Sequence, residues 1–552
     1  MGAFDYLVIV LTLVLFKPVN SAILGYPLTF LKLWRESSIC ESSPQLEFQW
    51  DFTTLKRWLT PFGIVLLSLF SPQFLSWSAI DPGGYLRLFF LVAAFVVSWK
   101  AITLDVDLAT NKALIIERIL LFLSLIGIYF YPPFALMVLF IAINCFRAWT
   151  HHQHLTLRLL QIFCAYLAAF LLLNMIFSLL SITSARVTSS SLIVLSMFVI
   201  VSHYFAAGIG KAKLGVHWYS WIKDNKIHYL VSSAYLWGWM RFLPEKRVLS
   251  FLGFLKYFDR PIQAGIFVIE CGSILALFDV RLCLFILAAF VLLHLFIFLL
   301  AGILFWESMF VECVFFAAIF ALPELYVQTV FNVTNGSLFA LGQILFNISS
   351  VLWRPTVLAW WDTPLVCRIH WIVIGVSGKI YGLYNNFMSP QERLFDKIYT
   401  YSLTKEKMIT GHLGEVSKLK LRDAIVASQG NPLILEQLTS FHGRSRHDQK
   451  LEDYHDTNLI RFFQSFNAKK RKQVCPAWLK APGELLYYWG RLEPFRGQEP
   501  VAYIQIIFRE EFYDGEHFRL IKEKLLKQLT ITERWNKFTT ESTESYREKK
   551  GE

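Results

Sequence analysis

The chain has 552 residues, of which 55% are apolar, 16% aromatic and 17% charged, and its mean hydropathy is +0.46. An ordinary soluble domain carries about 25% charged residues, so the composition excludes a disordered chain, a collagen, a disulfide scaffold and most cytosolic enzymes, and predicts a polytopic membrane protein. The net charge of +12 falls in loops between apolar runs and in the C-terminal part, where orientation and anionic headgroups account for it without a nucleic-acid partner.

The first apolar run, residues 6–16, is preceded by Asp5 rather than by a basic region and followed by Lys17 and Pro18, which predicts an anchor continuing to Tyr26 rather than a cleaved leader. Residues 31–57 are polar. Apolar runs then follow at 61–77, 85–104, 114–146, 157–182 and 191–209. The third exceeds one span of about 20 residues and is divided by Pro132-Pro133 into an expected hairpin of two. A polar, aromatic loop is expected over 211–260, then further runs at 263–282, 283–306, 309–322 and 338–353, for about ten spans.

Beyond Lys379 the composition turns to mixed charge. Residues 518–530 read as a helix, because Leu520, Ile521, Leu525, Leu526 and Leu529 recur at helical spacing, and residues 501–508 read as a strand. The fold class expected is an all-α polytopic membrane bundle with a C-terminal mixed α/β soluble domain. Its parts are an N-terminal anchor and connector (1–51), the bundle (52–378) and an extramembrane domain (379–552) with a frayed tip.

No G-x-x-x-x-G-K-[ST], G-x-S-x-G or H-E-x-x-H occurs, so ATP-driven transport, serine-hydrolase and zincin chemistry lose their usual signatures. The eight cysteines form no C-x-x-C, and the three sequons at Asn332, Asn335 and Asn347 are short enough to arise by chance. What carries information is a set of ionisable residues in or beside apolar runs: Glu117, Arg118, His203, Lys211, Glu270, Asp279, Arg281, His294 and Glu312. Facing lipid, each costs roughly 2.5 to 3.5 kcal/mol on insertion scales, so each is expected to face a cavity or a partner. Snorkelling of Arg118 and Arg281, pairing of Glu117 and Asp279 with them, and packing of His203 are the bland alternatives.

Lys211 ends the segment Ser202-His-Tyr-Phe-Ala-Ala-Gly-Ile-Gly-Lys211. On a helix Tyr204, Ala207, Gly208 and Lys211 share one face, with the small residues forming a notch where another backbone or a ligand can approach. A desolvated lysine there serves as a general base; with Lys213 it equally marks the membrane surface, and both readings stand. In Trp149-Thr-His151-His152-Gln-His154, His151 and His154 have metal-ligand spacing. No acid or cysteine lies near them in sequence, so no metal is predicted, and hydrogen bonding to an anionic or oxygenated ligand is the competing use.

Tyr204-Phe-Ala-Ala-Gly-Ile-Gly-Lys211, followed by Trp218 in His-Trp-Tyr-Ser-Trp, resembles a helix of the horizontally transferred transmembrane (HTTM) superfamily, whose eukaryotic member is the vitamin K-dependent gamma-carboxylase. There the motif reads Y-F-x-A-G-x-K-K, and Lys211 takes the place of its second lysine, the proposed catalytic base, while Gly210 replaces the first. Trp149-Thr-His-His152-Gln-His-Leu155 is similar to W-N-N-H-S-Y-L, placing His152 on the functional histidine and His151 on an asparagine. Leu277-Phe-Asp279-Val-Arg281 through His294 to Gly302-Ile303 resembles F-F-D-V-S-R, a membrane histidine and S-I-G-M-F, with Glu270 where the family has an acid. The resemblance covers approximately residues 52–310.

The resemblance implies an integral-membrane enzyme, a carbon-carbon lyase coupled to quinone epoxidation. A reduced quinone (a vitamin K-type hydroquinone) is deprotonated and oxygenated, and the strong base so formed removes a carbon-bound proton from glutamate, which adds carbon dioxide. Lys211 and His152 are then the expected catalytic residues; His151, Tyr204, Trp218, Glu270 and His294 line the substrate or cofactor pocket. Oxygen and carbon dioxide are co-substrates, the partners are membrane lipid and a peptide or small acidic substrate, and the location is a bacterial inner membrane or the endoplasmic reticulum. The departures at Gly210 and His151 keep a second class open, a non-catalytic HTTM protein that binds or moves a hydrophobic ligand or assists peptide export, with Lys211 as an anion anchor.

Overall fold

The computed structural model describes residues 1–23, 65, 75–81, 83–103, 115–144, 155–180, 189–349, 358–385, 387–388, 400–411, 413–469, 479–483 and 490–532. Its first part is helical: α1 (Ala3–Ile23), α2 (Tyr85–Ile102), α3 (Ile115–Phe130), α4 (Phe134–Asn144), α5 (Leu155–Leu179) and α6 (Ser189–Lys213). Then come α7 (Ile227–Trp237), α8 (Glu245–Leu255), α9 (Asp259–Gly272), α10 (Val280–Ala301), α11 (Trp306–Phe320), α12 (Glu324–Val330) and α13 (Val333–Ser349). Pro132-Pro133 forms the turn between α3 and α4, as expected from a residue pair that cannot continue a helical ladder.

Among the described residues five helices, α1, α2, α5, α6 and α10, are long and apolar enough to cross a membrane. The count is six if α11 and α12, bent by 112° at their junction, make one broken span. This is fewer than the ten expected. The difference comes from short helices, such as the 11-residue α4, and from the run at 61–77, most of which lies outside the described residues. The loop expected over 211–260 is largely helical, holding α7, α8 and a turn of helix at Ser220–Asp224.

The bundle core is built from large rings and from polar ties. Phe90 stacks on Phe163 at 4.2 Å, Trp77 lies on the same ring at 5.6 Å, and the Trp77 indole donates to the Ile128 carbonyl (2.6 Å). Lys100 of α2 pairs with Glu307 of α11 at 2.6 Å, and Thr156 of α5 donates to the other Glu307 oxygen (3.2 Å), so three helices meet at one buried carboxylate.

The C-terminal part holds β1 (Trp361–Asp362), β2 (Leu365–Gly375), β3 (Ile380–Gly382), β4 (Glu415–Val416), α14 (Leu419–Ala427), α15 (Pro432–His442), α16 (Gln449–Asn467), β5 (Val501–Tyr513) and β6 (Phe518–Thr530). β1 pairs with β4, and an antiparallel sheet has the order β3-β2-β5-β6. Two expectations are corrected here. Residues 518–530 are a strand, not a helix, and the sheet begins before residue 379: β2, inside the segment assigned to the bundle, pairs with β5 from Leu365–Phe512 to Gly375–Val501. The apolar core under this sheet also takes in Leu214, Trp221 and Ile222 from the chain that leaves α6. That contact carries the end of α6 into the sheet domain.

Candidate functional site

The centre is α6, whose apolar and small residues bury it along most of its length. Tyr204, Ala207, Gly208 and Lys211 are all buried on it. The notch is filled by a helix: a Cβ added at Gly208 would lie 2.8 Å from Cys271 Sγ, 3.1 Å from the Cys271 backbone nitrogen and 3.2 Å from Glu270 Cβ. A side chain there would push α9 away, so glycine sets the closeness of α6 and α9. That closeness places Glu270 opposite Lys211, with Lys211 Nζ 2.5 and 2.7 Å from the two carboxylate oxygens. The Trp221 ring centre lies 5.1 Å from the same nitrogen.

Two turns back along α6, the Tyr204 hydroxyl donates to the fully buried Glu312 carboxylate of α11 and lies 3.3 Å from His294 Nε2 of α10. His294 Nδ1 is 3.5 Å from Glu312 Oε2, too long for a hydrogen bond, and Oε2 has no hydrogen-bond donor among the described residues. Phe290 stacks on the Tyr204 ring at 3.5 Å, and Phe305 flanks His294 at 4.9 Å. One helix thus carries a lysine and a phenol on one face, each engaged by a buried carboxylate from a different helix. Such groups can hold and pass protons in a medium where an unpaired charge is costly.

Of the residues predicted for the pocket, Lys211 and Glu270 are in contact, as are Tyr204 and His294. Trp218 is exposed, with its ring 5.9 Å from Phe267, and the neighbouring Trp221 is the indole that reaches Lys211. His151 and His152 lie outside the described residues. Asp279 caps α10 by accepting from the Arg281 and Leu282 backbone N–H groups at 2.8 and 3.2 Å, and His203 Nδ1 lies 3.0 Å from the Val199 carbonyl, a packing arrangement. Glu117 is buried, and Arg118 donates to the Ile102 carbonyl (3.1 Å). Among the described residues no three His, Cys, Asp or Glu side chains gather into a set able to hold a metal ion.

Sequence reasoning missed Lys100 and Glu307, each a charge in an apolar helix that the insertion-cost criterion selects equally. It also missed Asp259 and Gln263, which share the buried face of α9 with the predicted Glu270 at helical spacing. Asp259 accepts from the His228 backbone N–H (3.1 Å) and lies 2.7 Å from its Nδ1, whereas fully buried Gln263 has neither amide atom hydrogen-bonded among the described residues.

The chain from Lys211 to α7 is stitched to the sheet domain. Trp221 Nε1 donates to the Trp360 carbonyl (3.0 Å) and Arg422 to the Asp224 carbonyl (2.8 Å). Asn225 and Asp362 exchange two hydrogen bonds: the Asn225 amide donates to the Asp362 carboxyl (2.7 Å), and the Asp362 backbone N–H donates to Asn225 Oδ1 (2.8 Å). Burial pushes the Asp362 carboxyl up to about 7, opposed by the hydrogen bonds from Asn225 and Trp360. Compared with known proteins, the chain matches no protein-family model, no curated protein and no solved structure.

Proposed function

We propose that this protein is a multi-pass membrane enzyme of the HTTM type, crossing the bilayer about ten times when shorter apolar segments such as α4 and α13 are counted, and performing a gamma-carboxylase-like reaction. The observation that supports the reading is the placement of Lys211 and Tyr204 on one face of α6, each joined to a buried carboxylate, Glu270 and Glu312. The donor set suits a hydroquinone: Glu312 Oε2 is a buried acceptor with no hydrogen-bond donor among the described residues, and Phe290, Phe305 and Tyr204 provide flat apolar surfaces. When bound, a reduced quinone with oxygen supplies the strong base that the abstraction of a carbon-bound proton from a glutamate requires, before carbon dioxide adds.

In this reading Lys211 accepts the initiating proton after passing its own to Glu270, which lies within hydrogen-bond reach. Tyr204 and His294 orient the second hydroxyl and relay its proton to Glu312. Buried aromatic groups exclude water from the base. The test uses full-length protein in vesicles with a reduced naphthoquinone, a glutamate-rich peptide and labelled carbon dioxide. Quinone oxidation and label incorporation are expected in the native protein and lost in Lys211→Met. A Lys211→Met protein that inserts normally and turns over at the native rate overturns the reading.

The Lys211–Glu270 pair also favours a second reading, a non-catalytic protein binding a hydrophobic anion, since a lysine satisfied by an internal carboxylate is released when an external one competes. Binding of a quinone or fatty acid without turnover, weakened by Lys211→Met, distinguishes it.

A further inference from the structure

The segment 241–260, running from the end of α7 into the first turn of α9, contains α8, which buries Val248, Leu252 and Leu255 and turns its other side outward. On that outer side Phe242, Phe254, Tyr257 and Phe258 are all exposed, and Tyr257 is 84% exposed. Phe254 and Phe258 lie with ring centres 4.9 Å apart. Lys246, Arg247, Lys256 and Arg260 are exposed among these rings, and none of the four is in an ion pair among the described residues. The two acids of the segment do not neutralise them: Asp259 is buried against His228, and only Glu245 is outside.

The segment is fixed at the end of a membrane-crossing helix. Trp239, just before it, donates from its indole to the Leu299 carbonyl of α10 (3.1 Å), and its ring lies where a Cβ on Gly302 would come within 2.6 Å. Gly302, at φ +66, is the left-handed cap that ends α10. Along α10, Phe285, Leu292, Leu295 and Leu299 form an exposed apolar stripe at helical spacing, suited to acyl chains. At the end where this stripe stops, exposed aromatic rings and unpaired cations begin. That order of acyl-facing aliphatics, then aromatics, then cations matches the layers of a bilayer leaflet.

We propose that residues 241–260 form an interfacial platform that binds the anionic phospholipid headgroups of the leaflet on the side where α10 ends. The proposal rests on the membrane reading of the chain. Phe254, Tyr257 and Phe258 enter the headgroup boundary, while Lys246, Arg247, Lys256 and Arg260 hold phosphates above it. Because α9 starts from this platform and carries Glu270, the platform also fixes the depth of the Lys211–Glu270 pair in the membrane.

The test places a photoreactive benzoylphenylalanine at Phe254 or Tyr257 in full-length protein reconstituted into phosphatidylcholine vesicles with and without phosphatidylglycerol, with Phe441 of the sheet domain as the exposed control. Crosslinks to phospholipid at 254 and 257 but not at 441 are expected. Crosslinks to polypeptide, or none, overturn the proposal. Native mass spectrometry of the protein is expected to show retained phosphatidylglycerol, falling by roughly fivefold for each of the four cations changed to glutamine. Equal retention in the substituted protein, or equal retention of phosphatidylcholine, also overturns it. If alkaline carbonate releases the native protein from membranes, the membrane reading itself fails; if the protein stays embedded and the probes miss lipid, only the platform fails.

Discussion

Glu270 brings both carboxylate oxygens to the Lys211 ammonium, at 2.5 and 2.7 Å, at a site where both side chains are buried. Removing one partner leaves the other charge buried and unpaired, which costs about 3–5 kcal/mol, whereas replacing both with apolar residues is often neutral. Glu270→Ala is therefore expected to lower the thermal unfolding temperature of the detergent-solubilised protein sharply. The double variant Lys211→Met with Glu270→Leu is expected to recover most of that loss; equal instability in both would show that the pair's charge is not what matters.

Gly208 supplies a second test. An alanine Cβ there meets Cys271 Sγ, which can rotate away, and the Cys271 backbone nitrogen, which cannot. Gly208→Ala is expected to destabilise the protein by about 1–3 kcal/mol, the range for an overpacked interior. Cys271→Ala in the same chain should recover only part of it, because the backbone contact remains. Thermal unfolding of the native protein and the two variants reads both effects.

Asp362 makes stability depend on pH. Its carboxyl holds a proton up to about 7 in the folded protein, whereas an unfolded chain releases it in the ordinary carboxylate range. The stabilisation is thus fully present below that range and is lost as pH rises through about 7, amounting to about 4 kcal/mol for this group. Denaturant midpoints measured between pH 4 and 8 should fall more steeply with rising pH in the native protein than in Asp362→Asn. Parallel profiles would contradict this.

Two indoles hold the segment 479–483 on the bundle. Trp99 donates to the Leu479 carbonyl (2.7 Å), Trp306 donates to the Pro482 carbonyl (2.8 Å), and the two rings meet at 5.2 Å. Each hydrogen bond contributes about 1 kcal/mol. Replacing both with phenylalanine should speed trypsin cleavage after Lys480 several-fold, and an unchanged cleavage rate would show that other contacts hold the segment.

The break at Pro132-Pro133, the extent of α6 and the strand at β5 were legible because each rests on local chemistry: two prolines, a run of apolar and small residues, and a short apolar run bounded by Pro500 and charged residues. Strand β6 was misread for an identifiable reason. Its register against β5 slips twice, so that Leu526 and Ile521 are extra residues with no partner. Each slip sets two apolar residues side by side, Leu520-Ile521 and Leu525-Leu526, and two such pairs five residues apart imitate the period of a helix. At the site, individual residues could be read from the cost of charge in an apolar run. Their pairing could not, since Lys211 meets Glu270 only after α7 and α8 have turned the chain back. Nor was it legible that Trp221 would be the indole beside Lys211: the short helix Ser220–Asp224 turns it inward and leaves Trp218 exposed.

The central pair of the sheet joins β2 to β5, strands separated in the chain by everything from Gly375 to Val501. On a ribosome, β2 emerges long before its partner, with Cys367, Ile369, Trp371 and Val373 awaiting burial. The apolar helices are synthesised by then, and so are Trp360 and Asp362, the hydrogen-bond partners of Trp221 and Asn225. Arrival of residues 501–513 pairs β2 and completes the apolar core that also takes in Trp221. A nascent chain stalled before that point would carry Lys211 and Glu270 with Trp221, the indole beside Lys211, facing an unfinished core, so a late strand completes surroundings whose charged residues were made hundreds of residues earlier.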